Sequence, residues 1–343
     1  MLFITVILLL TLLFTRQSSR TADHFGPAVT NQLKGFAILA VVLGHIGYFL
    51  APDPSFLYPL SILAGVGVNL FLFLSGFGLT SSQQAKPLTP SAFYRKRLPK
   101  LYLPLWLVIT ALFVLDYFIL RRSYPLTEII HSYLGYFPRA DLTQSLDSPL
   151  WYFTFILTYY LIFPLLWFKK RPELTALLIG LISYSMLMLK LPLNPDVQYL
   201  YRLHWLAFPL GMLFALYINK IHFRPRKMIK WIILAASTAI FAYTAVHSNV
   251  GAAPWREQLT SLVTAASLLI IFALGRFNFR LLSVFGLFSY EIYLIHWPLL
   301  SRYRLFYRPD PTYLGTVLYL LLFLAIGYLI KKGPGLIARN PKD

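Results

Sequence analysis

An all-α, polytopic transmembrane helix bundle is the fold this sequence predicts, and three observations predict it. Hydrophobic residues make up 58% of the 343 positions and charged residues only 13%, a balance that the surface of a water-soluble domain does not accommodate. Apolar stretches of about 20 residues, enough to cross a hydrocarbon layer of about 30 Å as a helix, recur along the chain. The 31 Lys and Arg residues are concentrated in alternate segments between those stretches, as the positive-inside rule requires. The net charge of +19 therefore points to cytoplasmic loops and anionic lipids rather than to nucleic acid. Cysteine is absent, which excludes disulfides, thiolate-bound zinc and a cysteine nucleophile. The chemistry falls to His, Ser, Tyr and carboxylates.

Taken in order, the first apolar run, Met1 to Phe14, is short for a span and is followed rather than preceded by charge, at Arg16 and Arg20. A cleaved signal has its charges first, so the run reads as an uncleaved helix with the N-terminus outside. Ten core spans follow, at about 35–51, 58–79, 101–120, 150–168, 173–189, 200–219, 228–247, 257–275, 281–301 and 313–330, each bounded by charge, proline or polar residues. Basic residues collect before residue 35 and within 86–100, 169–171, 220–230, 276–280 and 331–342. Those segments are cytoplasmic by that rule, and so is the C-terminus. The longest loop of the opposite side, about 121–149, is too small for a separate domain. With no trusted internal repeat, the organisation is a hydrophobic helix and linker over 1–30, one membrane domain over 31–332 and a tail over 333–343. Trp151-Tyr152, Tyr199, Tyr201 and Trp297 lie near span ends and read mostly as interfacial anchors.

The candidate functional residues lie in three stretches. In the first, Asn31-Gln32-Leu33-Lys34 leads into an apolar helix that carries His45. Lys34 and His45 are eleven residues apart, so they share a helix face about 16 Å apart along the axis. An ionisable group at that depth is costly unless it faces a protein interior or water, which makes His45 a functional candidate. The second stretch is Gly67-Val68-Asn69-Leu70-Phe71, running to Ser75-Gly76-Phe77, followed by Phe93-Tyr94-Arg95-Lys96-Arg97-Leu98-Pro99-Lys100. The third is Phe288-Ser289-Tyr290-Glu291-Ile292-Tyr293-Leu294-Ile295-His296-Trp297-Pro298. Glu291 sits in an apolar setting and is expected to pair with a base or face a cavity, whereas His296, near the span's outer end, reads as structural. The histidines form no metal-ligand pattern, so no metal site is expected.

The order and spacing of these stretches, with Leu150-Trp151-Tyr152-Phe153 and Pro209-Leu210-Gly211-Met212, resemble the acyltransferase 3 family of integral membrane acyltransferases over about residues 30 to 330. The resemblance implies that His45 is the catalytic base and that Lys34 stands where the family has arginine, which keeps the charge but loses the bidentate fork. Asn31 and Asn69 stand where the family tends to have acids. The family's cytoplasmic basic pair maps to Arg97 and Lys100. The resemblance further implies acyl-coenzyme A, most simply acetyl-coenzyme A, as donor substrate with no bound cofactor, and a glycan or other hydroxyl-bearing acceptor. Such an enzyme belongs in the plasma membrane, the inner membrane of a bacterium, among lipids and beside glycan-synthesis machinery.

Acyl transfer from a thioester to a hydroxyl needs a base, groups that stabilise the oxyanion, and exclusion of bulk water. His45 fits the first need, and Lys34, Arg97 and Lys100 are the expected contacts for donor phosphates. Asp147, Trp151, Tyr152, Arg202, His204 and Trp205 lie on the outer side, where an acceptor arrives, with Asn69 and Ser75 as hydrogen-bonding groups on the second core span. Two other readings fit the composition: a glycan exporter without chemistry, although broken helices are not evident in the sequence, and a structural membrane subunit.

Overall fold

The computed structural model describes residues 25–142, 145–218, 226–275 and 277–337. Among them all regular structure is helical. The helices are α1 (Pro27–Gly44), α2 (Ala64–Ala85), α3 (Pro90–Leu120), α4 (Leu126–Leu134), α5 (Trp151–Ile162), α6 (Pro172–Met188), α7 (Pro195–His204), α8 (Ala207–Tyr217), α9 (Lys227–Val246), α10 (Pro254–Gly275), α11 (Arg280–Leu287), α12 (Ser289–Pro298) and α13 (Tyr313–Ile337). Short π-helical segments follow α1 at His45–Leu50 and α12 at Leu299–Tyr303. The expected helix over Met1 to Phe14 lies outside the described residues.

Among the described residues six helices are long and apolar enough to cross a membrane: Pro27–Leu50, Ala64–Ala85, Pro90–Leu120, Lys227–Val246, Pro254–Gly275 and Tyr313–Gly333. The count of ten core spans is thus not reproduced as ten continuous helices. Helix α6 is apolar but shorter, at 17 residues. The expected span at 150–168 is a helix of 12 residues. That at 200–219 is broken between His204 and Ala207, and that at 281–301 changes helix at Phe288. These interruptions correct the expectation of unbroken helices. Apolar windows report composition, and a break of one or two residues leaves composition unchanged. Exposed Trp231, Ile232, Ile240 and Tyr243 on α9 are the lipid-facing surface of an integral membrane protein.

Helix α3 starts eleven residues before its expected span. Thr89 caps it, its hydroxyl accepting from the Ala92 N–H at 3.3 Å, and Pro90 at the first position loses no helical bond there. At 31 residues it is about 47 Å long, more than a hydrocarbon layer of about 30 Å needs. The basic segment 95–100 is therefore a helical extension and not a loop.

The chain forms two compact units. One holds the described residues up to Ser82 together with Arg202–Ser289. Its core runs through Val29, Leu33, Ala37 and Ala40 of α1, Val66, Leu70 and Leu74 of α2, and Leu268, Leu269 and Phe272 of α10. Backbones approach closely there because glycine allows it: a Cβ on Gly35 would sit 1.9 Å from the Leu282 carbonyl oxygen, and one on Gly76 would sit 2.2 Å from that of Phe208.

The other unit holds Gln83–Tyr201 together with the described residues from Tyr290 onward. Here Tyr201 stacks on Phe155 at 4.1 Å, Phe93 packs against Phe163 at 5.8 Å, and α13 packs along α3. Trp151, Tyr201 and Trp297 are all buried, which corrects their reading as interfacial anchors. They lie near span ends in sequence, but neighbouring helices cover them.

Candidate functional site

In the first unit, His45 sits where α1 loosens into a π-helical turn. Its backbone N–H is shared between the Val41 and Val42 carbonyls, and Ala51 N–H reaches back five residues to the Ile46 oxygen at 3.0 Å. Gly44 and Gly47 flank the imidazole and weaken the regular helix. Gly47 also lets the turn press on the next segment, since a Cβ there would meet Ser61 Cβ at 2.5 Å. The turn closes the helix, since Ala51 leaves it in an extended conformation. The His45 ring is half-buried, with Phe49 at 5.7 Å. Lys34 lies on the same helix and is exposed.

The rim below Lys34 is fixed by side-chain amides. Asn31 donates to the Ser283 carbonyl at 2.7 Å. Gln32 donates to the Phe277 carbonyl at 3.1 Å and accepts from Phe279 N–H at 2.7 Å. A carboxylate at position 31 has no hydrogen to give to Ser283, so asparagine suits this contact where an acid does not.

Asn69, fully buried on α2, joins two other elements of the same unit. Its amide donates to Ser261 Oγ on α10 at 2.7 Å, and its carbonyl oxygen lies 2.9 Å from Nδ1 of His204 at the end of α7. That oxygen only accepts, so His204 carries its proton on Nδ1 and its lone pair on Nε2. Asn69 and His204 are thus brought together, whereas Ser75, six residues on, lies about 9 Å further along α2 and about 120° around it. Arg202 is exposed while His204 is buried, so the helix directs them oppositely.

In the second unit Arg97 and Lys100 share one turn of α3, Arg97 half-buried and Lys100 exposed. That turn is anchored by Tyr94, which donates to the Leu161 carbonyl at 2.6 Å, and by Phe93 against Tyr160 at 6.3 Å. Trp151 and Tyr152 open α5 behind a short 3-10 turn over Ser148–Leu150. Trp151 packs on Tyr201 at 6.2 Å and Tyr152 on Tyr293 at 5.4 Å, and Tyr293 donates to the Pro149 carbonyl at 2.9 Å. Glu291 is buried, with the Lys331 ammonium of α13 as the charge acting on it. His296 is fully buried, its Nδ1 at 2.8 Å from the Tyr293 carbonyl.

Sequence reasoning missed a polar cluster in this unit. Asp116, near the end of α3, is fully buried and paired with Arg302. Tyr124 and Tyr303 also donate to its carboxylate, Tyr303 at 2.6 Å. Arg302 further donates to the Tyr124 oxygen at 2.7 Å and to the Leu146 carbonyl. A carboxylate inside the run 101–120 was the available signal. The cluster anchors Tyr124 and the Leu146 carbonyl, and the described part of 121–149 includes helix α4 rather than being a plain connection. Gly135 ends that helix in the left-handed region at φ +76, where a Cβ would also meet the Phe153 ring at 2.4 Å.

Asp147, at the end of the same loop, is buried. Burial raises its carboxyl well above the usual carboxylate range, against a smaller opposing pull from Arg302. The folded state therefore holds this proton more tightly than the unfolded chain. Its contribution to stability is full below the unfolded value near 3.8 and is lost as pH rises through the folded value. Asp147→Asn, which cannot ionise, is expected to gain stability over the parent as pH rises from that unfolded value until the parent's own carboxyl ionises, by up to about 1.4 kcal/mol per pH unit. Thermal unfolding of both proteins across that range checks this; a gap that does not change with pH would contradict it.

The family model described as "Acyltransferase domain" matches residues 30–332, nearly the whole chain. No curated protein and no solved structure matches it.

Proposed function

Since the chain belongs to the acyltransferase 3 family, and so is a membrane acyltransferase, we propose that it moves an acyl group, most simply acetyl, from cytoplasmic acyl-coenzyme A to a hydroxyl of a cell-surface or exported glycan. The observation that carries this reading is His45, a half-buried imidazole at the start of a π-helical turn, in a chain whose family transfers acyl groups. In the proposed reaction His45 takes the acceptor hydroxyl proton as the oxygen attacks the thioester carbonyl. The carbon–sulfur bond breaks, the ester bond forms, and the proton passes to the departing thiolate. Lys34, Arg97 and Lys100 are the cations proposed to meet the donor's phosphates. Asn69, His204, Trp151, Tyr152 and Glu291 are proposed to shape the acceptor side, the first two as one hydrogen-bonded pair. The plasma membrane, with the C-terminus in the cytoplasm, is the location consistent with these roles.

Coenzyme A release from acetyl-coenzyme A by purified protein in nanodiscs, with and without a panel of glycans, tests the proposal. Release that is stimulated by a glycan and depends on His45 supports it and names the acceptor class. Lys34→Ala is expected to raise the KM for acetyl-coenzyme A about 3- to 10-fold with kcat little changed, as loss of one charged contact does. An unchanged KM would remove Lys34 from the donor site.

The interruptions between α7 and α8 and between α11 and α12 favour one second reading, a glycan exporter without chemistry. Glycan transport that persists in His45→Ala, with no coenzyme A release from the parent, would support that reading instead.

A further inference from the structure

Described residues of 125–147 in the second unit, with Asn194 and Asp196, line a cavity of about 370 Å³, within the roughly 300–1,000 Å³ range of small-ligand pockets. Glu128 and His131 line it from one face of α4, and Asp196 from the start of α7, with Arg139, Ser145 and Asp147 contributed by the loop segments between. Asp147 is 2% exposed. Both of its carboxyl oxygens and the Ser145 hydroxyl are buried with no hydrogen-bond partner among the described residues. Arg302, the cation whose charge reaches Asp147, gives its hydrogen bonds to Asp116, Tyr124 and the Leu146 carbonyl instead. A carboxyl and a hydroxyl two residues apart thus share one wall with their bonding capacity unused, an arrangement that is costly in a structure unless a ligand completes it.

The chemistry of the wall narrows the ligand. Acidic side chains outnumber basic ones, which disfavours phosphates and acidic sugars. Among the described residues no three His, Asp or Glu side chains converge on a point that could hold a metal ion. The two oxygens of a carboxyl match two adjacent hydroxyls, each of which can give or accept a hydrogen bond as the carboxyl's proton requires, and the Ser145 hydroxyl gives or accepts a third bond. The rings of His131 and Tyr136, edge to face at 5.0 Å, add an apolar surface of the kind a sugar ring covers.

We propose that this cavity binds a neutral saccharide unit, with Asp147 and Ser145 hydrogen-bonded to its adjacent hydroxyls. The proposal rests on the glycan-acceptor reading for its biological role, while its test is of binding alone. The full-length protein in nanodiscs is titrated with the methyl glycosides of glucose, galactose, mannose and rhamnose. The methyl glycoside of glucuronic acid and calcium chloride serve as comparators, and binding is read by saturation-transfer NMR and calorimetry. At least one neutral glycoside is expected to bind better than the glucuronide. Asp147→Leu should weaken it at least tenfold and Ser145→Ala several-fold. Asp310→Asn, an exposed carboxylate outside the cavity, should leave it unchanged. Because the Asp147 side chain makes no hydrogen bond to a described residue, its replacement should not lower the unfolding temperature, which separates lost binding from lost fold.

Binding of no neutral glycoside, binding indifferent to both substitutions, or Asp147-dependent binding of calcium alone would each overturn the proposal. Glycan-stimulated coenzyme A release with glycoside binding indifferent to Asp147 would sink the cavity and spare the acyltransferase reading. Asp147-dependent glycoside binding without acyl transfer would do the reverse.

Discussion

His45→Ala is expected to lower glycan-stimulated acyl transfer by about 10²- to 10⁴-fold, the usual contribution of a positioned general base, while the protein stays folded and membrane-inserted. The half-burial of the imidazole is the reason to expect an intact fold, since removal leaves no large cavity. The second histidine of the same unit makes the experiment discriminating. His204 is held in one tautomer by Asn69 at 2.9 Å, the geometry of an oriented base. Under the proposed assignment, His204→Ala lowers turnover less than His45→Ala and acts through acceptor affinity. If His204→Ala abolishes transfer while His45→Ala leaves it within a factor of a few, the base is misassigned. Parallel measurements of thermal unfolding and donor binding on both variants keep loss of chemistry distinct from loss of fold.

What could be read from the sequence was what is local. Lys34 and His45 lie on one helix because an eleven-residue spacing in an apolar run leaves the chain no other regular structure at that depth. Asn69 stood out as a polar residue among Leu and Phe, and it is a junction of hydrogen bonds. The partners of that junction could not be read, because Ser261 is 192 residues and His204 135 residues away along the chain. Likewise an aspartate at position 116 marks itself as special, but its arginine lies 186 residues later. The errors have a common cause too. Hydropathy counts residues and ignores which face they occupy, so the buried Trp151 and Trp297 were indistinguishable from interfacial ones. The break after His204 falls at Trp205-Leu206, an apolar pair with no proline or glycine to mark it. The start of α3 at Pro90 was signalled by Thr89-Pro90, a capping pair that carries no hydrophobicity and so escapes a search for spans.

Asp116→Ala is expected to be the most destabilising single substitution considered, by about 3–5 kcal/mol, because it leaves the Arg302 guanidinium buried without its counter-charge. The side chains are 11% and 0% exposed for Arg302 and Asp116, so solvent does little to compensate either one. Asp116→Asn should cost less, since its amide oxygen still accepts from Tyr303 or Tyr124. Asp116→Leu combined with Arg302→Leu should recover much of the loss, because removing both charges abolishes the desolvation penalty along with the attraction. Unfolding of the parent, each single variant and the double variant in detergent gives the coupling energy directly. A double variant no more stable than expected from adding the two single losses would show that the pair is not the unit of stability. The same substitutions report on the loop, since Arg302 also binds the Leu146 carbonyl, between Ser145 and Asp147. The double variant should therefore regain stability without regaining saccharide affinity, and recovery of both together would show that Arg302 does not position that wall.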